Sequence, residues 1–548
     1  MSNHVSDTTA QAQGDADGAG PTPAKRPMTS GDLTKRQTNP NAQLVRMICQ
    51  DLHSYDIVNF TGFRNFFENV VPNYTLPSNQ DMLEKLIPEE YNKEKNKLKE
   101  NLKSVDDLAA SIEVWRWDNG QAGHTKMWSL TIHFIHQDQY ISQNLFSLEQ
   151  KGNATEIARE IKEALIDWGI LDKVVCLVIR KDHENKSNLQ LNVTKELKIP
   201  HVYCAASALN QVVQEGLHYL YVTKEFPKRY QNHQLSKFKR ISEYVFSWHQ
   251  YYTDLQNIKT NPGRGCIVLN REDYGNLNEC LQILKHFENL TNVLSGARYT
   301  TLSNLLTLID ILKLQVSNCT ATTDVVKEFK QIIMAAIQSN FESNDHNFAE
   351  KASVMDPRYK TKKSIFTTRG FKDFGYFNIA DELYQRVMSK KQQETGTQSL
   401  ASVPELQTPG PSSSRVTDDP ASPRGLLTKE LLVDFLNEKE RTREFRMVLY
   451  YKNLLIHEPS QNIDPFKFWN VFRLRYLNSD PDPTVSEFYK MSQKYLCIPA
   501  TAVPVETIPG EYLWAKTPNE KLYNERRERL PHEKISEILF LHSYYSRN

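Results

Sequence analysis

Three neighbouring runs decide how this chain folds: Ser111-Ile-Glu-Val-Trp-Arg-Trp117, Met127-Trp-Ser-Leu-Thr-Ile-His-Phe-Ile135 and Gln139-Tyr-Ile-Ser-Gln-Asn-Leu-Phe146. β-Branched and aromatic residues dominate each run. The short gaps between them leave room only for turns, so an antiparallel three-stranded meander is expected. Residues 153–168 then place Ile157, Ile161, Leu165 and Trp168 on one helical face, with Asn153 or Thr155 as the N-cap. Lys173-Val-Val-Cys-Leu-Val-Ile179 is apolar after its first residue, the pattern of a central strand buried on both faces. A further helix and a strand at His201-Val-Tyr-Cys204 complete the order β-β-β-α-β-α-β, a mixed sheet covered by helices.

On either side of this segment the pattern changes. Residues 1–41 contain no aromatic residue and too little apolar surface to offset the entropy lost on folding, so they read as a disordered tail; Lys25, Arg26, Lys35 and Arg36 are solvated charges within it. From 205 to 388 the periodicity is helical: Asn276-Leu-Asn-Glu279 has the form of a capping box, residues 302–314 form an apolar helix and residues 325–348 another. From 389 to about 426, Pro404, Pro409, Pro411, Pro420 and Pro423 sit among Ser, Thr and Gln, the composition of a structureless linker. Helices at 428–457 and from Pro483 onward close the chain.

Composition sets limits on function. No uncharged apolar run approaches the roughly 20 residues of a membrane-spanning helix, and Lys+Arg 67 against Asp+Glu 66 gives no global basic field to recruit nucleic acid. The seven cysteines include no Cys-x-x-Cys pair, which argues against a structural zinc finger. With an odd count and no apolar signal core at the N-terminus, a reducing compartment is expected, cytosol or nucleus.

The strand and helix order is the topology of the ribonuclease-H-like fold, and short motifs make the likeness more specific. Ile57-Val-Asn-Phe-Thr-Gly-Phe-Arg-Asn-Phe66 with Val71-Pro-Asn-Tyr-Thr-Leu-Pro-Ser78, Leu130-Thr-Ile-His-Phe-Ile135, Tyr203-Cys-Ala-Ala-Ser-Ala-Leu-Asn-Gln-Val-Val213, Val354-Met-Asp-Pro-Arg-Tyr-Lys360, Asp464-Pro-Phe-Lys-Phe-Trp469 and Tyr495-Leu-Cys-Ile-Pro-Ala-Thr501 occur in this order. Together with Val503-Pro-Val-Glu506 and Arg527-Glu-Arg-Leu-Pro531, the set resembles the hAT-superfamily transposases and their domesticated ZBED-like relatives. The resemblance implies a helical pre-catalytic region over 42–108 and a ribonuclease-H-like core whose first part is 109–220. It further implies a large helical insertion over 221–388 and, after the 389–426 linker, a C-terminal dimerisation region over 427–548 that completes the core.

The resemblance also implies an Asp, Asp, Glu triad holding two divalent cations, with every carboxylate tightly placed. Here Glu113 stands at the first position, Lys181 replaces the second Asp with Asp182 beside it, and Glu506 keeps the third. A longer arm at the first position and a cation at the second both work against metal binding. The family's Cys-x-x-His has Ser207 in place of its His, and the paired Cys and His of a BED finger are missing, since only Cys49 and His4 precede His53. No metal or other cofactor is therefore expected, Mg²⁺ entering only if Glu113, Asp182 and Glu506 rebuild an active transposase site.

Two basic segments are the remaining route to DNA: Lys224, Lys228, Arg229, Lys237, Lys239 and Arg240 in the first, and Arg358, Lys360, Lys362 and Lys363 in the second. Clustered Lys and Arg bind phosphates by releasing counterions; the plainer reading is a solvated surface. Self-association is assigned to Leu513, Trp514, Ile535, Ile538, Leu539, Phe540 and Leu541. His133 and Cys204 are read as satisfied core residues, and Trp469 and Phe472 as core of the C-terminal region. The sum is a nuclear, non-catalytic, homodimerising factor associated with DNA or chromatin and regulating transcription, with no membrane role. An active Mg²⁺-dependent transposase and a purely protein-binding scaffold are the alternatives.

Overall fold

The computed structural model describes residues 39–71, 74–118, 124–149, 151–180, 189–220, 271–294, 302–341, 347–360, 371–396, 443–454, 463–477, 483–502 and 534–546. At its centre is one mixed five-stranded sheet: β1 (Leu108–Asp118), β2 (His124–His136), β3 (Gln139–Glu149), β4 (Val174–Ile179) and β5 (His201–Tyr203), in the order β3-β2-β1-β4-β5. The first three strands form the antiparallel meander, while β4 pairs parallel with β1 and β5 parallel with β4. Five of the six β4 residues are buried, as an apolar strand in the middle of a sheet requires.

Helices cover both faces. On the N-terminal side lie α1 (Pro40–Gln50), α2 (Thr61–Val70) and α3 (Ile87–Lys103). The two crossover helices are α4 (Ala154–Asp167) and α5 (Leu189–Leu197). α4 begins in a capping box, Asn153 accepting from the Thr155 and Glu156 amides while Glu156 accepts from the Asn153 amide. It ends in a Schellman turn, with Gly169 at φ +67 and the Ile170 amide reaching the Leu165 carbonyl.

The helical block that follows contains α6 (Ala205–His218), α7 (Arg271–Leu294), α8 (Leu305–Asn318), α9 (Asp324–Phe341), α10 (Asn347–Met355) and α11 (Phe371–Gly396). It continues with α12 (Arg443–Asn453), α13 (Pro465–Leu477) and α14 (Pro483–Leu496); the last described helix is α15 (Ile535–Tyr545). α6 and α9 approach closely at Gly216, where an added Cβ would lie 2.7 Å from both Phe329 and Ile333.

Alternation along the strands divides the core. Ala109, Ile135, Cys176 and Val178 face the helical block, whereas Ala110, Ile112, Ile132, Phe134, Leu177 and Ile179 face a layer containing α1, α3, α4 and α15.

The structure corrects several expectations. α7 starts at Arg271, so Asn276 and Glu279 lie inside it and cap nothing there; their side chains instead accept from Thr323 Oγ1 and from the amide and hydroxyl of Thr322, at the entry to α9. The helix expected over 325–348 is two, α9 and α10, and the residues between them lie outside the described residues. α11 continues to Gly396 because Lys, Gln and Glu follow Ser389 and no proline occurs before Pro404, so the first eight residues of the expected linker are helical. α1 begins at Pro40, just inside the expected tail. The rest of the tail and linker lie outside the described residues.

The largest correction concerns the residues assigned to self-association. Ile535, Ile538, Leu539, Phe540 and Leu541 are at most 5% exposed and sit in the core against β3, α1 and α3. Gln143 Nε2 donates to the Phe540 carbonyl at 3.0 Å and to Ser543 Oγ at 2.7 Å, and the Ser147 amide donates to Ser536 Oγ at 3.2 Å. An apolar helix that lacks a neighbour in sequence has found one some 400 residues earlier. Phe540, fully buried against Tyr91 and Trp168, sets the expected result: Phe540→Ala costs about 3–5 kcal/mol, read as a lower urea midpoint of the sheet's unfolding transition.

Candidate functional site

Glu113 lies on the β1 face turned toward the helical block, 7% exposed and opposite Ser129 on β2. Around it runs a strip of buried polar side chains. Ser129 and Ser147 share a hydrogen bond of 2.7 Å; Ser111 Oγ lies 2.8 Å from His133 Nε2, and the Tyr140 hydroxyl 3.2 Å from His133 Nδ1. His133 is thus a satisfied core histidine held by two hydroxyl groups, and burial pulls its pKa down to about 3. A neutral imidazole is the form this strip accommodates.

Ser111 pairs with Val178 across β1 and β4, the last pair of that parallel ladder. Among the described residues no three His, Cys, Asp or Glu side chains converge as metal ligands would. Lys181, Asp182 and Glu506 lie outside those residues. No Mg²⁺ step is derived from this site.

The described members of the basic patches are engaged internally, Lys360 buried and Arg358 half-buried. Asp356 is fully buried; it accepts from Arg358 Nε at 2.9 Å and Nη2 at 2.7 Å, and from Ser303 Oγ at 2.7 Å. Lys360 is 1% exposed, and its ammonium donates to the carbonyls of Tyr451 at 2.5 Å and Leu454 at 2.8 Å, capping the C-terminal end of α12. Burial lowers its pKa to about 8, so at neutral pH the charged form is still the donor. Both charges are spent inside the helical block and are unavailable to phosphate. Lys224, Lys228, Arg229, Lys237, Lys239, Arg240, Lys362 and Lys363 lie outside the described residues, as do Leu513 and Trp514.

The same turn organises its surroundings: Trp469 Nε1 donates to the Met355 carbonyl at 2.7 Å, the Tyr451 hydroxyl to that of Val354 at 3.0 Å, and the Tyr376 hydroxyl to that of Lys360 at 2.6 Å. Trp469 and Phe472 are core, as expected, and Cys204 is 1% exposed. Sequence reasoning missed Glu382, which gathers Lys351, Lys494 and Tyr495; a lone acid within a helix carries no local signal of such partners. No described helix is long and apolar enough to cross a membrane.

No family model matches the chain. Part of it is similar to the human Zinc finger BED domain-containing protein 6, 23% identical over 188 residues that make up 31% of this chain and 18% of that protein. The mouse protein of the same name is 24% identical over 217 residues, 36% of this chain and 21% of that protein. The chain thus spans about a fifth of the length of these relatives.

Two outcomes follow. Lys360→Met takes the charged donor from the Tyr451 and Leu454 carbonyls, the first keeping its 3.3 Å bond from the Leu454 amide, and lowers stability by about 2–3 kcal/mol, measured as a urea midpoint against an unchanged Lys103→Met control, whose side chain is 72% exposed. For His133, the unfolded chain takes up a proton near pH 6.5 and the folded chain only near pH 3, so stability falls as pH drops through that window, by up to about 1.4 kcal/mol per unit. His133→Gln is less stable at neutral pH but loses this slope; a slope equal to wild type would place the titration elsewhere.

Proposed function

We propose that the chain is a domesticated hAT-transposase derivative, a nuclear regulatory protein that associates with DNA or chromatin, forms homodimers and no longer catalyses strand transfer. The observation that carries the reading is the similarity to two Zinc finger BED domain-containing proteins in a chain whose motifs follow the hAT order. A sheet of order β3-β2-β1-β4-β5, with three antiparallel strands followed by two parallel ones, supports a ribonuclease-H-like core. In this reading α7 to α11 belong to the insertion, and α12 to α15 return to complete the core.

Loss of catalysis rests on Lys181 at the second acidic position and on the longer Glu113 at the first. DNA contact falls to the 224–240 segment and to Lys362 and Lys363, since Arg358 and Lys360 are engaged internally. Self-association uses surfaces other than the buried 535–541 helix.

Purified protein should hold duplex DNA at 50 mM salt and lose affinity steeply by 200 mM, with a shallower slope after Lys237, Lys239 and Arg240 are changed to Gln. It should sediment as a dimer and leave supercoiled DNA intact in Mg²⁺ or Mn²⁺. Cleavage abolished by Glu506→Ala would overturn the non-catalytic reading, and salt-independent retention would remove the phosphate contacts.

A further inference from the structure

The start of β4 and the residue before β5 meet α10, α11 and α14 at a cavity of about 250 Å³. Val175, Pro200 and Phe348 form its apolar side, and Lys351, Lys494, Glu382 and Tyr495 its polar side. Glu382 is the centre of the polar side. It accepts from Lys494 at 2.7 Å, from Lys351 at 2.9 Å and from the Tyr495 hydroxyl. Burial alone would raise its pKa; the two ammoniums and the phenol outweigh that and hold it at about 2, so the carboxylate is ionised at any physiological pH.

The arrangement holds more cation than a structural staple needs. One ammonium would neutralise Glu382, yet two are present, each with under a fifth of its side-chain surface exposed. The nearby Arg386 is shared between Asp107, at 3.2 Å, and Glu382, at 3.7 Å. Each ammonium has three donors and makes one hydrogen bond, to Glu382, so the lining keeps one net positive charge and several unspent N–H groups. Partly buried charge of this kind is costly unless an anion shares it. The volume lies below the roughly 300 Å³ at which sites for drug-sized molecules begin, and one wall is apolar.

We propose that this cavity binds a small organic anion, a carboxylate or phosphate monoester on a compact apolar body, with Lys351 and Lys494 holding the acid group and Val175, Pro200 and Phe348 the body. It is a site separate from the β1 polar strip and does not depend on DNA association.

Calorimetric titration of the full chain at fixed ionic strength tests it, with phenyl phosphate as probe, inorganic phosphate lacking the apolar body and phenol lacking the charge. Saturable binding of phenyl phosphate, weaker binding of phosphate and none of phenol are expected. Lys351→Gln and Lys494→Gln should each weaken phenyl phosphate at least tenfold, and Lys103→Gln should leave it unchanged. Should either lysine variant fail to fold, reductive methylation of the wild-type chain read by mass spectrometry replaces it: phenyl phosphate should protect Lys351 and Lys494 selectively. Absence of saturable binding, equal binding of phenol, or binding without protection of these two lysines would overturn the proposal.

Discussion

The buried turn over 356–360 is the constraint on which the helical block depends. Asp356, fully excluded from solvent, folds the turn around itself by accepting from Arg358 and Ser303. Its far end sends Lys360 to the carbonyls that terminate α12. A buried carboxylate and ammonium are tolerable only with their partners in place, and removing one member of such a pair typically costs more than the pair contributes. The turn thus joins helices on both sides of the long 397–442 stretch, and Trp469 and Tyr451 pack beside it, their polar atoms satisfied by the Met355 and Val354 carbonyls at the end of α10. α14, which packs beside α10 and α11, is positioned through the same turn, and with it the ion cluster around Glu382.

The sheet is a different kind of structure, held by alternation. One face of β1 and β2 carries Ala110, Ile112, Leu130, Ile132 and Phe134, in the core shared with α4 and α15; the other mixes Ala109 with Ser111, Glu113 and His133. A polar strip in a core persists only when its members satisfy one another, and the Ser111, His133 and Tyr140 chain does so without a charge. Here the fit is to neutral partners.

Strand order, the capped α4 and the buried β4 were legible because their signals are local: a period of two, a period of 3.6, an Asn three residues before a Glu. The errors share a cause. Arg358 and Lys360 read as surface because charged residues usually are, and the groups that bury them lie across the fold, Tyr451 being 91 residues from Lys360. The 535–541 run read as an interface because no nearby sequence offered it a partner. The capping-box pattern at Asn276 was chemically right and spatially wrong, since it caps the entry to another helix. Nothing local marks Glu382 as the meeting point of two lysines. Of the candidate site itself, the position of Glu113 on β1 was readable, and its lateral neighbours needed the register.

The C-terminal helix over 535–545 has a consequence for how the protein is made. Its Ser536 and Ser543 hydroxyls accept from the Ser147 and Asn144 amides of β3, the edge strand of the sheet, and its apolar side covers the meander. Gln143 and Phe540, bonded in the finished fold, are 397 residues apart. At about 5–20 residues per second, a ribosome needs on the order of 20–80 seconds to deliver the second after the first. Throughout that interval the β3 edge and the part of the meander that this helix covers stay open, which invites strand addition by other chains. The nascent protein therefore depends on shielding of that edge until the 535–545 helix emerges.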